Sequence, residues 1–211
     1  MSKALGYTVH LLRVGKTSWD EDQRLIGETE LPMTEAGSDA VARALRTFKP
    51  DTPLSLVLVS QEEGTHTVGK LIAGSDTRIR TIADLSNVGL GLWEGVLRTD
   101  LEERCPSAYA QWKDSPERIT PPEGESFQDA RYRLVSAIVR AMKKAKGPHP
   151  HIAIVLRPWA WAIVRCWLRG ADLGEIWKQL DEPVCVETFE VMRSYLEQAD
   201  TLPRRKTKAA V

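Results

Sequence analysis

The chain has 211 residues, enough for one domain of ordinary size with a sizeable core. Hydrophobic residues make up 42% and charged residues 27%, the balance of a globular protein rather than a disordered or fibrous one. Lys+Arg and Asp+Glu both number 29, so no net field draws the chain to nucleic acid or to a membrane. Partners are expected among small molecules or other proteins.

The opening MSKALGYTVHLLRVGK carries too short an apolar run for a signal peptide, and no stretch approaches the roughly 18 apolar residues of a membrane span. Cys105, Cys166 and Cys185 are widely spaced, odd in number and form no CxxC pair. They are read as reduced thiols of a cytoplasmic protein, with no metal or cofactor expected.

In chain order, residues 7–12 read as a buried strand. Thr34 caps a helix whose apolar stripe is Ala40, Val41, Ala44, Leu45 and Phe48. LSLVLV at 54–59 and IAIVL at 152–156 are continuous apolar runs, the pattern of strands covered on both faces. Residues 92–125 are rich in turns and short helices and read as an insertion over the sheet's end. Ser126 caps a longer helix bearing Phe127, Ala130, Leu134, Ile138 and Met142, with Lys143, Lys144 and Lys146 at its negative end. Pro158 opens another helix that Gly170 closes. Residues 184–191 form a late strand. Strands alternating with helices predict an α/β layered fold, as a single domain over 1–196 with a basic tail at 197–211.

Gly15-Lys16-Thr17 after a strand suggests the end of a phosphate-binding P-loop, but His10 stands where that motif needs glycine, and SWDEDQRLIG does not read as the helix that must follow. A different frame fits better. Arg13-Val14-Gly15-Lys16-Thr17-Ser18-Trp19-Asp20, then Arg24-Leu25-Ile26-Gly27 and Pro32-Met33-Thr34-Glu35-Ala36-Gly37, follow the first strand. Gly91-Leu92-Trp93-Glu94-Gly95 and Pro121-Pro122-Glu123-Gly124-Glu125-Ser126 come later. In this order and spacing they resemble the histidine phosphatase superfamily, in its phosphoglycerate-mutase-like branch. The resemblance implies a three-layer α/β/α sandwich with a mostly parallel sheet, and a site at the carboxyl ends of the strands.

That family's reaction uses a histidine nucleophile, arginines that hold the phosphoryl oxygens, a carboxylic acid and a second histidine. Matched by motif, the nucleophile position falls on Val14, the second arginine on Gly64, the acid on Asn87 and the second histidine on Arg157; Arg13 alone is retained. Valine has no lone pair to attack phosphorus. Arginine stays protonated above a pKa of about 12 and cannot shuttle protons. The resemblance therefore implies the fold, while the residue types argue against the usual turnover.

His10, His66, His149 and His151 fall on strand starts or away from the strand ends and are expected to play no catalytic part. Trp159 is expected to narrow the pocket, with Trp161 in a core or interface. Arg13, Lys16 and Arg157 are the candidate anion-binding set, against internal pairing of the arginines with Asp20, Glu62 or Glu94. The leading expectation is a catalytically inactive histidine-phosphatase-like protein that binds a phosphorylated small molecule or a protein partner. The alternatives are a phosphohydrolase or mutase with a carboxylate nucleophile from Asp20, Glu62, Glu63 or Glu94, and a structural or assembly subunit.

Overall fold

The computed structural model describes residues 6–199. Five strands form one sheet in the order β3-β2-β4-β1-β5. These are β1 (Gly6–Arg13), β2 (Leu56–Val59), β3 (Arg78–Thr81), β4 (His151–Leu156) and β5 (Val186–Met192). The first four run parallel; β5 lies antiparallel against β1, pairing Gly6 with Met192 and Leu12 with Val186.

The apolar runs are continuous because both faces are covered. Val9, Leu11, Leu58, Ile152 and Ile154 enter one core cluster, while Leu12, Val57, Val59, Ala153 and Val155 enter a second on the opposite face. The helices in chain order are α1 (Ser18–Glu21), α2 (Glu35–Arg46), α3 (Glu63–Ile72), α4 (Arg98–Arg104), α5 (Pro106–Asp114), α6 (Phe127–Lys143), α7 (Pro158–Arg169), α8 (Ile176–Leu180) and α9 (Arg193–Ala199). Val41 of α2 and Val68 of α3 close the second cluster; α6 and α7 are the largest contributors to the first. The result is the three-layer α/β/α sandwich.

The caps form as the sequence predicts. Thr34 Oγ1 accepts from Gly37 N, Ser126 Oγ accepts from Asp129 N, and Gly170 ends α7 in the left-handed region at φ +65°. Ala130, Leu134, Ile138 and Met142 of α6 are fully buried.

Several expectations need correction. Residues 18–21 do form a helical turn, because Thr17 and Asp20 make a reciprocal capping box. Strand β3 was not foreseen: RIRT carries only one apolar residue and lies at the sheet's edge. Within 92–125, Leu101, Tyr109 and Trp112 are buried in the main core cluster, so the segment is built into the core as well as spanning it. Helix α9 continues to Ala199; of the expected basic tail, residues 200–211 lie outside the described residues. No helix among the described residues is long and apolar enough to cross a membrane.

Candidate active site at the strand ends

The carboxyl ends of β1, β2 and β4 bring the loop after β1, the start of α3 and the start of α7 together. The loop after β1 is fixed by close backbone contact. A Cβ on Gly15 would fall 2.2 Å from the Gly37 carbonyl oxygen, so the chain here passes directly over the start of α2. Thr34 N donates to the Lys16 carbonyl at 2.9 Å and completes the tie.

Val14 occupies the position just past β1. Its N–H donates to the Leu156 carbonyl at 3.0 Å, and its side chain is 4% exposed within the second core cluster. Gly64 lies opposite, in the first turn of α3: a Cβ there would sit 3.8 Å from Val14 Cγ1. The two positions matched by motif are therefore neighbours in space, and neither carries a polar side chain.

Arg13 is buried, and its fork is committed to main chain. Nη1 donates to the Leu180 carbonyl at 2.8 Å and Nη2 to the Glu182 carbonyl at 2.5 Å. Its guanidinium lies 5.4 Å from the Trp161 ring, whose indole also faces Arg165 at 4.8 Å. Burial pulls the Arg13 pKa down, opposed by Cys185, Asp20, Glu182 and Asp181.

Arg157, at the N-cap of α7, is equally buried. Nη1 donates to the Thr29 carbonyl at 2.8 Å, while Nη2 has no hydrogen-bond partner. Burial lowers its pKa too, opposed by Glu62, Asp20, Glu94 and Glu30 in that order. Both groups remain cations.

Of the carboxylates considered as arginine partners, Asp20 and Glu94 are engaged elsewhere and Glu62 only in part. Asp20 Oδ2 accepts from Thr17 N and Thr17 Oγ1 at 2.8 and 2.7 Å. Glu94 gathers the N–H groups of Gly27, Glu28, Thr29 and Leu90. Glu62 Oε1 accepts from Asn87 N at 2.9 Å, and its Oε2 is buried without a partner.

Asn87 is a fully buried crosslink. Its amide donates to the Ile26 and Gly27 carbonyls at 3.3 and 3.0 Å, and its Oδ1 accepts Ala160 N at 3.0 Å. It thereby pins the first turn of α7 to the loop after β1.

A small cavity of about 40 Å³ remains at this end, against the roughly 10–15 Å³ that a single water requires. Arg13, Val14, Lys16, Asp20, Pro158 and Trp159 line it, together with Arg24, Arg98 and Asp181. Arg157 does not line it, so the three residues expected to hold an anion are split: Arg13 and Lys16 face the cavity and Arg157 faces Thr29. Trp159 narrows the cavity as expected, but from the core: it is 3% exposed and packs on Trp112, Phe127 and Trp177. Trp161 is fully buried in the core.

Sequence reasoning missed Arg24 and Arg98 as cationic wall residues. Arg24 stood in the quoted Arg-x-x-Gly frame and could have been weighed; Arg98 had no local signal. The four histidines lie elsewhere, His10 and His151 lower on the sheet and His66 beside Thr81.

An α/β/α sandwich with its cationic crevice at the strand ends defines the class of protein. A model of the histidine phosphatase superfamily (branch 1) matches residues 9–197, and the chain belongs to that family. It is 25% identical over 186 residues to the adenosylcobalamin/alpha-ribazole phosphatase of Salmonella typhi, spanning 88% of this chain and 91% of that protein. It is 29% identical over 141 residues to the metal-independent phosphoserine phosphatase of Arabidopsis thaliana, spanning 65% of this chain and 59% of that protein. Among solved structures, Bacillus stearothermophilus YhfR superposes with a TM-score of 0.71 at 22% identity, covering 84% of this chain and 85% of its own. The alpha-ribazole phosphatase from Shigella flexneri gives 0.70 at 22% identity, covering 88% and 94%. These structures share the fold.

Proposed function

We propose that this member of the histidine phosphatase superfamily acts by binding rather than by phosphoryl transfer, with a phosphorylated small molecule or a protein partner as its target. The observation that carries the reading is Val14, a buried hydrocarbon just past β1 with Gly64 facing it. No group there offers a lone pair to phosphorus, and removing a nucleophile alone can cost a hydrolase on the order of a million-fold in rate. The cationic wall of Arg13, Lys16, Arg24 and Arg98 exceeds Asp20 and Asp181 in charge, which suits an oxyanion as the recognised group.

One observation favours a second reading. Asp20 lines the same cavity as Arg13, so an aspartyl nucleophile is the form an active enzyme would take here.

The test is a phosphomonoesterase panel with 4-nitrophenyl phosphate, alpha-ribazole phosphate, phosphoserine and phosphoglycerate. Release at the no-protein background is expected on every substrate. Turnover that disappears in Asp20→Asn would replace the binding reading with the enzyme one. In parallel, millimolar inorganic phosphate is expected to raise the melting temperature, and Arg13→Ala or Lys16→Ala, which both line the cavity, to remove the rise.

A further inference from the structure

Helix α6 carries three arginines, and they differ in what holds them. Arg133 is bonded to the Glu125 carboxylate and to the carbonyls of Asp84, Ser86 and Asn87. Arg140 pairs with Asp84 at 2.8 Å. Arg131 makes no ion pair or hydrogen bond with any described residue, and its Nε is buried without a partner. Yet it stands among charges. With Asp114, Glu117 and Asp172 it lines a cavity of about 400 Å³, inside the range of about 300–1,000 Å³ usual for small-molecule sites. Three carboxylates and one guanidinium face the same space without closing on each other; Glu117 has only a loose contact to Arg118, at 3.8 Å.

The walls that keep these groups apart are tied together. Trp177 Nε1 of α8 donates to the Trp112 carbonyl of α5 at 3.0 Å. A Cβ on Gly174 would lie 3.4 Å from the Asp114 carbonyl oxygen, so the turn after α7 runs close against the end of α5. Asp114 is the last residue of that helix, where the backbone already carries partial negative charge, and its carboxylate gains from a cation brought to it. Leu173, 5% exposed, and Tyr132 give the cavity an apolar part. It shares no lining residue with the cavity beside Val14.

The charge pattern selects the ligand. A simple anion would meet Arg131 but also three carboxylates, and a diamine would suit the carboxylates but meet Arg131. A molecule with one carboxylate, two cationic groups and an alkyl stem between them satisfies both. We propose that this cavity is a binding site for a basic α-amino acid. The ligand carboxylate takes the Arg131 fork, whose planar donors match two oxygens side by side. Its cationic groups lie among Asp114, Glu117 and Asp172, and its stem covers Tyr132 and Leu173. The site is separate from the oxyanion reading above and stands or falls without it.

The experiment is isothermal titration of the full chain with L-arginine and L-lysine. Each is compared with its decarboxylated analogue, agmatine or cadaverine, and with an analogue whose side chain is neutral, citrulline or norleucine. At least one of the two amino acids is expected to bind about tenfold or more tightly than both of its analogues. Arg131→Gln should erase the margin over the decarboxylated analogue, and Asp172→Asn should shrink the margin over the neutral one. Both positions lie outside the core clusters, and thermal unfolding checks that the variants fold. A decarboxylated analogue that binds as tightly as its parent removes Arg131 from the site and refutes the assignment. A neutral analogue that does so refutes it through the carboxylates. Margins that survive both substitutions place the binding elsewhere on the chain, and no heat from either amino acid at millimolar concentration ends the proposal.

Discussion

Val14 and Gly64 face each other at the carboxyl end of the sheet, with 3.8 Å between Val14 Cγ1 and the place a Gly64 Cβ would take. That separation is ordinary van der Waals contact. It follows that Gly64→Ala would fill space without forcing Val14 aside. Glycine in a helix also forfeits more backbone entropy on folding than alanine. The variant should gain about 0.5–1 kcal/mol, measured by urea denaturation. A loss of stability would mean that the start of α3 needs glycine for a reason other than room.

Returning histidine to the strand end should not return the chemistry. Val14→His puts an imidazole among Leu12, Val59 and Val68, apolar neighbours in its cluster, at a cost of about 1–3 kcal/mol for an unpaired buried polar group. The fork of Arg13 stays on Leu180 and Glu182, and Gly64 offers no side chain to a phosphoryl group. Intact-mass measurement with 4-nitrophenyl phosphate should show no phosphoryl adduct. An adduct would show that the surrounding frame still supports transfer.

Asn87 is where the structure says most about a position that the motif marks only as altered. A carboxylate there would meet the carbonyls of Ile26 and Gly27, which now receive its amide protons, in a fully buried site. Asn87→Asp should therefore lose about 2–4 kcal/mol, from two orphaned carbonyls and a buried charge beside them. Thermal unfolding within a degree of wild type would show that this region repacks freely.

The layers were legible because strands covered on both faces read as unbroken apolar runs, and because Thr34, Ser126 and Gly170 cap helices through contacts within a few residues. Strand β3 was hidden because RIRT has no such run and owes its place to pairing with β2. The site divides in the same way. That Val14 stands at a strand end is local information. The direction of Arg13 depends on carbonyls 167 and 169 residues further along the chain, and no spacing in the sequence encodes it. The same holds for Arg98, which reaches the cavity wall from α4.

The pH dependence of stability should centre on His10, far from the candidate site. His10 is 4% exposed; Nδ1 shares a hydrogen bond with Thr188 Oγ1 at 3.0 Å, and Nε2 has no partner. Burial first, then the neighbouring His151, lowers its pKa to about 4 against a weaker opposing pull from Glu190. His149 is tied to Thr8 and Glu190, and Lys49 and Asp51 line the same depression from the segment after α2. Between pH 6.5 and 4 the unfolded chain takes up a proton at this residue that the folded chain refuses, so stability falls as pH falls through that window and is whole above it. The loss assigned to His10 is about 3 kcal/mol, the free energy that corresponds to moving its pKa from 6.5 down to about 4. Urea denaturation at intervals from pH 7 to 4 should show this decline, and His10→Leu should flatten it. An equal slope in the variant would move the acid sensitivity to the carboxylates and acquit the buried imidazole.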